Sequence, residues 1–453
     1  MPLLPKSRAV WGWAIYDWAN SAFATSVMAG FFPVFFKQYW SDGANVNLST
    51  ARLGLANALA GILVAVMAPA LGAAADRAGA RKHLLLGFAF FGAAMTAMLA
   101  LLDKGQWAAA AAIYSLAAVG FSSANIFYDA LLPTVTPADR NDYVSGFGYA
   151  MGYLGGGLLF LLNVAMTLKP AAFGLADAAQ AVRASFVTVA IWWAGFSLLT
   201  AWWVPATRRS RTVSVMVLAS QGWRQAVATA KGLGRCPDLL VFLAAYWCYI
   251  DGVDTVIRMA VDYGLALGFQ STDLMGALLL VQFIAFPAAL AFGRLGEIWD
   301  SRKAIYLALG VYVIVTLWAM VMKSAAEFYG LAVLIGLTQG GVQALSRSFY
   351  ARLIPPERAG EFFGFYNMLG KFAVIVGPAL MGATGLLVRR WLMPAAPSAD
   401  QIAAVGLTAS RLSIASLLIL FAAGIVLLKK VDPVRCRQAL AHGNGQKKHG
   451  LGH

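Results

Sequence analysis

Two pairs of polar side chains stand in stretches that are otherwise apolar enough for a lipid bilayer. Asp17 and Asn20 lie in "YDWANSAFATSVMAGFFPVFF", and Asp251 and Asp254 lie in "CYIDGVDTVIRMA". A constant 234 positions separates the two pairs, so the same spacing of polar residues occurs twice. A charge at the centre of a bilayer costs about 2.5–3.5 kcal/mol and usually has a function. The pattern predicts that Asp17 or Asp251 carries a coupling proton or holds a substrate ammonium group.

Other charged and amide side chains extend this candidate pathway. Arg258 follows Asp254 by four residues on one helical face, so a purely structural ion pair between them stays open. Arg347 suits bidentate binding of a substrate carboxylate, but pairing with Glu361 and reaching out to the lipid headgroups stay open as alternatives. The remaining candidates in apolar stretches are Gln339, Gln343 and Lys371. Acidic and basic groups side by side would suit a zwitterion such as an amino acid.

The composition places the chain among membrane proteins. Of its 453 residues, 60% are hydrophobic and only 12% are charged, and the mean hydropathy is +0.69. Soluble domains carry about 25% charged residues. The net charge of +15 does not predict a nucleic-acid partner, because loop Lys and Arg residues of membrane proteins set orientation. No Walker-type lysine motif and no metal-ligand spacing occur, so no ATP-driven pump, metal or other cofactor is expected.

Apolar segments long enough to span a bilayer predict an all-α fold of about twelve transmembrane helices. The predicted spans are 9–38, 51–75, 84–102, 107–132, 144–168, 184–204, 238–268, 273–298, 304–322, 326–350, 362–388 and 410–428. They predict a six-helix bundle over 1–204, a basic central loop over 205–237, a second six-helix bundle over 238–431 and a disordered tail over 432–453. Gly-rich stretches such as "GYLGGG" at 152–157 predict close helix approach.

The distribution of Lys and Arg predicts the orientation. With the N-terminus in the cytoplasm, the segments on that side hold more than twice as many Lys and Arg residues as the outer loops. The positive-inside rule then places both termini in the cytoplasm. In a bacterial cell such a protein would lie in the inner membrane.

Two loops form a repeat that predicts a conformational latch. "GAAADRAGARK" (Gly72 to Lys82) and "GRLGEIWDSRK" (Gly293 to Lys303) align at an offset of 221. Glycine allows backbones to approach, and a carboxylate is stabilised at the N-terminus of a neighbouring helix. A solvated turn is the alternative interpretation. The latch candidates are Gly72, Asp76, Arg77, Gly79, Arg81 and Lys82, and in the second copy Gly293, Glu297, Arg302 and Lys303.

These loops resemble the signature loop of the major facilitator superfamily. The opening stretch, "VSGFGYAMGYLGGG" (Val144 to Gly157) and "GGVQALSRSFYARLIPPERAGEFFGFYNMLGK" (Gly340 to Lys371) resemble the vacuole-effluxer-like branch, relatives of fungal autophagy-linked amino-acid effluxers. The resemblance extends from Trp11 to Val431. It implies a secondary transporter with alternating access, in which the first and seventh helices flank a central cavity.

The expected function is therefore secondary active transport of a small polar solute, with an amino acid favoured and proton coupling expected. The expected partners are this solute, membrane lipid and a proton gradient, and nothing in the sequence argues against a monomer. A carrier of lipid or another solute, or a receptor-like protein of the same fold, stays open. An integral-membrane enzyme is a minor alternative, because "DGVD" has no second aspartate-rich motif and no nucleophile–histidine arrangement beside it.

Overall fold

The computed structural model describes residue 5 and residues 7–43, 46–206, 215–233, 236–266, 271–372, 376–394 and 398–436. Within these residues every regular element is a helix. They include twelve helical segments that are long and apolar enough to cross a membrane. The predicted all-α, multi-pass membrane fold is confirmed. The tail beyond residue 436, the side chain of Arg258 and the basic residues Arg208, Arg209 and Arg211 fall outside the described part.

Most helix bounds follow the predicted spans, but the sixth and the twelfth span begin earlier, at Ala178 and Asp400, than the predicted 184 and 410. The first repeat contains α1 (Arg8–Trp40), α2 (Val46–Ala78), α3 (Arg81–Leu101), α4 (Trp107–Val135), α5 (Asn141–Leu168) and α6 (Ala178–Trp203). The central segment contains a helix that was not predicted, α7 (Val215–Leu233). The second repeat contains α8 (Pro237–Ala266), α9 (Ser271–Trp299), α10 (Ser301–Val321), α11 (Ala325–Leu353), α12 (Ala359–Phe372), α13 (Val376–Leu392), α14 (Ala399–Ala415) and α15 (Leu417–Lys429).

Capping residues define several of these ends. The Asp177 carboxylate accepts a hydrogen bond from the Gln180 amide at 2.7 Å and caps α6. Ser398 and Gln401 form a capping box at the start of α14. Gly79, between α2 and α3, has a φ of +59°, a left-handed conformation that glycine adopts without steric cost.

The chain divides into two compact units. Unit 1 comprises Met1–Lys231 and Arg347–Lys371, and unit 2 comprises Gly232–Ser346 and Phe372–His453. The division does not coincide with the sequence repeat, because residues 347–371 belong by sequence to the second repeat and by packing to unit 1. We call them the crossing segment.

In unit 1, α1 packs against α5 and α6, and α3 packs against α4 and α6. Glycines of α5 bring the α1–α5 backbones together, as the Gly-rich stretch predicts. A Cβ atom at Gly155 would lie 2.6 Å from the Trp18 carbonyl oxygen, and one at Gly152 would lie 2.6 Å from the Ser21 hydroxyl. At this contact, small residues allow the two helices to pack backbone against backbone, as is common between helices in membranes.

In unit 2, α8 packs along α15, and α10 packs against α14. The chain beyond α15 is tied back to α8, because the Arg435 guanidinium donates to both Asp238 oxygens at 2.6 and 2.7 Å. The Asp432 amide also donates to Asp238 at 2.9 Å. The hydrogen bonds between the Arg435 guanidinium and the Asp238 carboxylate raise the pKa of Arg435 above its ordinary value.

The contact at Gly155 gives a stability prediction. We expect Gly155→Ala to lower the free energy of unfolding by about 1–3 kcal/mol, because the backbone of α1 blocks the new methyl group. Thermal unfolding in detergent measures this. Gly195→Ala on α6 is the matched control, because no atom lies within 4 Å of its added Cβ. Equal melting temperatures for the two variants would contradict the proposed close packing.

Candidate functional site

The guanidinium of Arg347 is the centre of a buried polar cluster in unit 1. It is 2% exposed. Its Nη1 donates to Asp129 Oδ1 at 3.2 Å, its Nε to Ser145 Oγ at 2.9 Å, and its Nη2 to the Ser145 carbonyl oxygen at 3.0 Å. Three aromatic rings lie 4.4–5.1 Å from the guanidinium carbon, those of Trp13, Tyr128 and Tyr149. Fixed contacts therefore occupy all three nitrogens of this guanidinium.

Asp17 joins the same cluster from α1. The Tyr128 hydroxyl donates to Asp17 Oδ2 at 3.1 Å, and the Ser21 hydroxyl donates to Asp17 Oδ1 at 3.3 Å. The tyrosine ring stacks on Trp13 with centroids 4.4 Å apart. Asp17 is therefore one hydrogen bond away from the aromatic side chains that cover Arg347.

Asparagine side chains make further hydrogen bonds within and beside the cluster. The Asn367 Nδ2 of α12 donates to Asp129 Oδ2 at 2.9 Å. One helical turn from Asp17, the Asn20 Nδ2 donates to Asn125 Oδ1 at 2.6 Å. The predicted pathway residues Asp17, Asn20 and Arg347 are thus brought into one region, together with partners from α4, α5 and α12.

The charges of the contacting side chains do not balance. Among the described side chains of this cluster, Asp17 and Asp129 are carboxylates, and the one guanidinium, Arg347, pairs with Asp129, whereas Asp17 accepts from Tyr128. A net negative charge inside a membrane span is costly, so the arrangement favours binding of one further positive charge. A proton on a carboxylate or an ammonium group of a solute would supply that charge.

The second repeat has an equivalent carboxylate in unit 2. Asp251 is buried in α8, and the Gly377 amide donates to both of its oxygens at 3.0 Å. The Thr255 hydroxyl donates to Asp251 Oδ1 at 3.3 Å. Gly377 lies in the first turn of α13, so the carboxylate also lies at a helix N-terminus, where the helix dipole stabilises negative charge.

The two copies share a hydroxyl four residues after the aspartate, and the sequence analysis did not use this repetition. Ser21 and Thr255 each follow their aspartate by four residues and stand 234 positions apart, the offset of the aspartates themselves. In each copy a glycine of another helix lies against the pair, with a Cβ at Gly152 or Gly377 falling within 3.0 Å of the carboxylate. The available signal was the repeated spacing D-x-x-x-S/T.

The other predicted pathway residues are not gathered at one point. Gln339 and Gln343 lie half-buried in α11, and Asp254 lies half-buried in α8, all in unit 2. Lys371 lies half-buried near the end of α12 in unit 1. The pairing of Asp254 with Arg258 stays a prediction.

The expected alternatives for Arg347 are corrected by the structure. Its carboxylate partner is Asp129, and its burial is not that of a side chain that reaches the headgroups. Glu361 instead accepts hydrogen bonds from the Arg358 guanidinium at 2.9 Å and from the side-chain Nε2 of Gln225, in α7, at 2.8 Å. The near neighbour in the sequence was the wrong partner, because the fold brings a distant helix closer.

The first latch loop holds the N-terminus of α12 in unit 1. Asp76 accepts the backbone amides of Gly360 and Glu361 at 3.0 and 2.9 Å, and the Arg81 Nε at 2.6 Å. A Cβ atom at Gly72 would lie 1.9 Å from the Gly360 carbonyl oxygen. The predicted contact of a loop carboxylate with a helix N-terminus is therefore present, and glycine is required beside it.

The basic residues of this loop bind carbonyl oxygens. The Nη2 of Arg81 donates at 2.9 Å to the carbonyl oxygens of Pro356 and Glu357, both in the crossing segment. Lys82 Nζ donates at 2.6 Å to the carbonyl oxygen of Val204, just past α6. The side chain of Arg77 is exposed.

The second loop copy makes different contacts in unit 2. Glu297 accepts from Arg294 at 3.1 Å on its own helix, and Arg302 Nη1 donates at 2.8 Å to the carbonyl oxygen of Val431, just past α15. Asp300 has a φ of 129° at the position that aligns with Gly79, and its carboxylate caps α10. Gly293 is buried and Lys303 is exposed.

A further ionic contact in unit 1 was not predicted. Asp142, in the first turn of α5, accepts a hydrogen bond from the Ser348 hydroxyl and forms an ion pair with Arg352 Nη1 at 2.8 Å. Both partners belong to the crossing segment. The first repeat therefore holds this segment at three carboxylates, Asp76, Asp129 and Asp142.

Comparison with known proteins identifies similar chains. The family model described as "Vacuole effluxer Atg22 like" matches residues 6–385. The MFS-type transporter YxiO of Bacillus subtilis (strain 168) is 36% identical over 418 residues, which cover 92% of this chain and 93% of that protein. Autophagy-related protein 22 of Eremothecium gossypii is 23% identical over 437 residues, covering 83% and 85% of the two chains.

A solved structure has the same fold. The human organic anion transporter MFSD10 (TETRAN) superposes with a TM-score of 0.68 at 16% identity, covering 94% of this chain and all of that one. At this identity the similarity concerns the fold alone.

The ion pair gives a second stability prediction. We expect Arg347→Ala and Asp129→Ala each to lower the free energy of unfolding by about 3–5 kcal/mol, because each leaves a buried charge without its partner. The double variant should lose clearly less than the sum of the two. Thermal unfolding of the four proteins in detergent gives the coupling.

The matched control is Arg52→Ala. Arg52 lies 3.9 Å from the Trp107 ring and is half-exposed, so its loss should cost about 1 kcal/mol or less. Additive effects of the Arg347 and Asp129 substitutions would rule out the ion pair as a stabilising unit.

Proposed function

Because the chain belongs to the Atg22-like vacuole-effluxer family of the major facilitator superfamily, we propose that it is a secondary active transporter for a small polar solute with a cationic group. An amino acid is the favoured solute, and proton coupling drives its movement by alternating access. Membership of this family makes the chain an integral membrane transporter of small-molecule solutes and not an enzyme.

The observation that carries the proposal is the charge imbalance around Arg347. Two carboxylates and one guanidinium meet in a buried cluster, and Asp17 is held only by hydroxyl groups, those of Tyr128 and Ser21, in the described contacts. Asp129 is neutralised directly by the guanidinium. Asp17 is therefore the better candidate for binding a proton or an ammonium group.

The preference for an amino acid rests on two supports. An ammonium group matches the excess of carboxylate, and the sequence motifs resemble the branch whose fungal relatives imply amino-acid efflux. Arg347 is engaged by Asp129 and Ser145, so a solute carboxylate would need to displace one of these contacts or use another cation. A lipid or another solute remains the competing outcome of the transport test.

The crossing segment supplies the alternating step. We assign the latch role to the first loop, supported by Asp142 of α5, because Asp76, Arg81 and Asp142 hold residues of the second repeat by hydrogen bonds that form and break without unfolding a helix. The orientation inferred from Lys and Arg places these contacts on the cytoplasmic side. Release of the segment would let that side open.

A transport prediction tests the role of Asp17. In proteoliposomes preloaded with mixed amino acids, the wild type should exchange one labelled amino acid and accumulate it under a pH gradient. We expect Asp17→Asn to lose accumulation driven by the gradient, because asparagine neither binds nor releases a proton. Labelled uptake with and without the gradient measures this.

The control for this experiment is Asp42→Asn, an exposed carboxylate paired with Lys104 at 3.1 Å. It should transport as the wild type does. Wild-type accumulation by Asp17→Asn would remove Asp17 from the coupling mechanism, and failure of the folded wild type to exchange any amino acid would redirect the search to other solutes and lipids.

A conformational prediction tests the latch. We expect Asp76→Ala to shift the population toward longer distances between spin labels at Asp139→Cys and Glu357→Cys, because it removes the acceptor for the Gly360 and Glu361 amides. Double electron–electron resonance in a background without native cysteines measures the distances. Asp177→Ala, which removes a carboxylate from the N-terminus of α6, is the matched control and should leave them unchanged. Identical distributions for Asp76→Ala and the unmutated loop would argue for a solvated turn.

A further inference from the structure

The central helix α7 has two different faces. Gly222, Ala226 and Thr229 are buried. The opposite side presents Trp223, which is 50% exposed, Val227, which is 39% exposed, and the exposed cations Arg224 and Lys231. We call these four residues the outer face of α7.

The buried side docks α7 onto unit 1. A Cβ atom at Gly222 would lie 2.5 Å from the Ala70 carbonyl oxygen of α2, so the two backbones touch. Gln225 donates to Glu361, and Thr229 accepts from Arg358, so α7 also binds the crossing segment. These contacts fix the direction in which the outer face points, away from α2.

The contact with α2 places α7 at the boundary between the hydrocarbon and the lipid headgroups. The apolar span of α2, Ala51–Ala78, has 28 residues and is about 42 Å long at 1.5 Å per residue. The hydrocarbon core is about 30 Å thick, so each end of a centred helix projects by about 6 Å. On this measure Ala74 lies about 14 Å from the middle of the span, at the edge of the hydrocarbon, and Ala70 lies about 8 Å from the middle, inside it.

The chemistry of the outer face matches an anionic lipid. An exposed tryptophan and valine flanked by two cations is typical of helices that lie in the membrane interface. Residues 205–237 contain six Lys or Arg residues and no Asp or Glu, so no acidic side chain in this stretch of sequence opposes binding of a negative group. A soluble protein partner would not explain the depth of the helix.

We propose that the outer face of α7 is a binding site for anionic phospholipid, with the phosphate group on Arg224 and Lys231 and the acyl chain along Trp223 and Val227. Because α7 also holds Glu361 and Arg358, lipid bound there stabilises the docked helix and the latch contacts of the crossing segment. This inference is independent of the transported solute, since lipid binding is measured without transport.

Native mass spectrometry of the detergent-purified chain titrated with phosphatidylglycerol tests the site. Neutralising both cations in Arg224→Gln/Lys231→Gln should weaken phosphatidylglycerol binding by about 30-fold, from roughly fivefold for each cation near a lipid surface. Binding of zwitterionic phosphatidylcholine should change little. Trp223→Ala should weaken the binding of both lipids, because it removes apolar contact and no charge.

The matched control is Lys429→Gln/Lys430→Gln, which neutralises two exposed cations at the end of α15, on the same predicted side of the membrane. Wild-type affinity in Arg224→Gln/Lys231→Gln, or an equal loss in the control, would overturn the proposal. A photo-crosslinker at Val227 gives a second readout in native membranes. Capture of lipid supports the site, and capture of a protein chain in place of lipid would overturn it.

Discussion

A guanidinium inside a membrane span has to be neutralised, and the rest of unit 1 follows from how Arg347 meets this requirement. Asp129 supplies the counter-charge, and Ser145 supplies two further acceptors. Truncating one partner of such a pair leaves the other charge buried, which costs far more than the pair itself contributes. The ends of α4, α5 and α11 are therefore held together, and the crossing segment is drawn into unit 1 although its sequence belongs to the second repeat.

The other polar groups of the crossing segment meet hydrogen-bond partners in the first repeat. Asp76 receives the amides at the start of α12, Arg81 binds two carbonyl oxygens, and Asp142 binds Ser348 and Arg352. Each hydrogen bond contributes on the order of 1 kcal/mol net, more where a charge takes part. A set of such contacts favours one arrangement by a few kcal/mol and leaves another accessible, as the proposed alternating-access cycle requires. A large apolar interface of the same area would lack this reversibility.

Much of this fold was predictable because the membrane imposes a local rule. Helices must satisfy their own backbone groups in lipid, so length and hydropathy suffice to find twelve spans, although the twelfth begins about ten residues before its predicted start. The helix α7 was not predicted, since its residues are amphipathic and basic and carry no long apolar run. The contact of Asp76 with a helix N-terminus was expected from charge and glycine spacing, but no pattern identified α12 as that helix.

The partner of Arg347 shows where sequence reasoning ends and where the repeat still helps. Glu361 is 14 positions away and Asp129 is 218 positions away, and only the tertiary fold decides between them. The internal repeat carries information that single motifs lack, since it relates Ser21 to Thr255 and Gly79 to Asp300 across the two copies. In the last pair both residues have a positive φ, +59° at Gly79 and +129° at Asp300, and the Asp300 side chain caps the helix that follows. The carboxylate of the second loop, Glu297, contacts Arg294 on its own helix, whereas Asp76 of the first loop contacts the crossing segment. The two copies of the loop therefore bind different partners, and the alignment of their sequences alone does not predict which partner each copy binds.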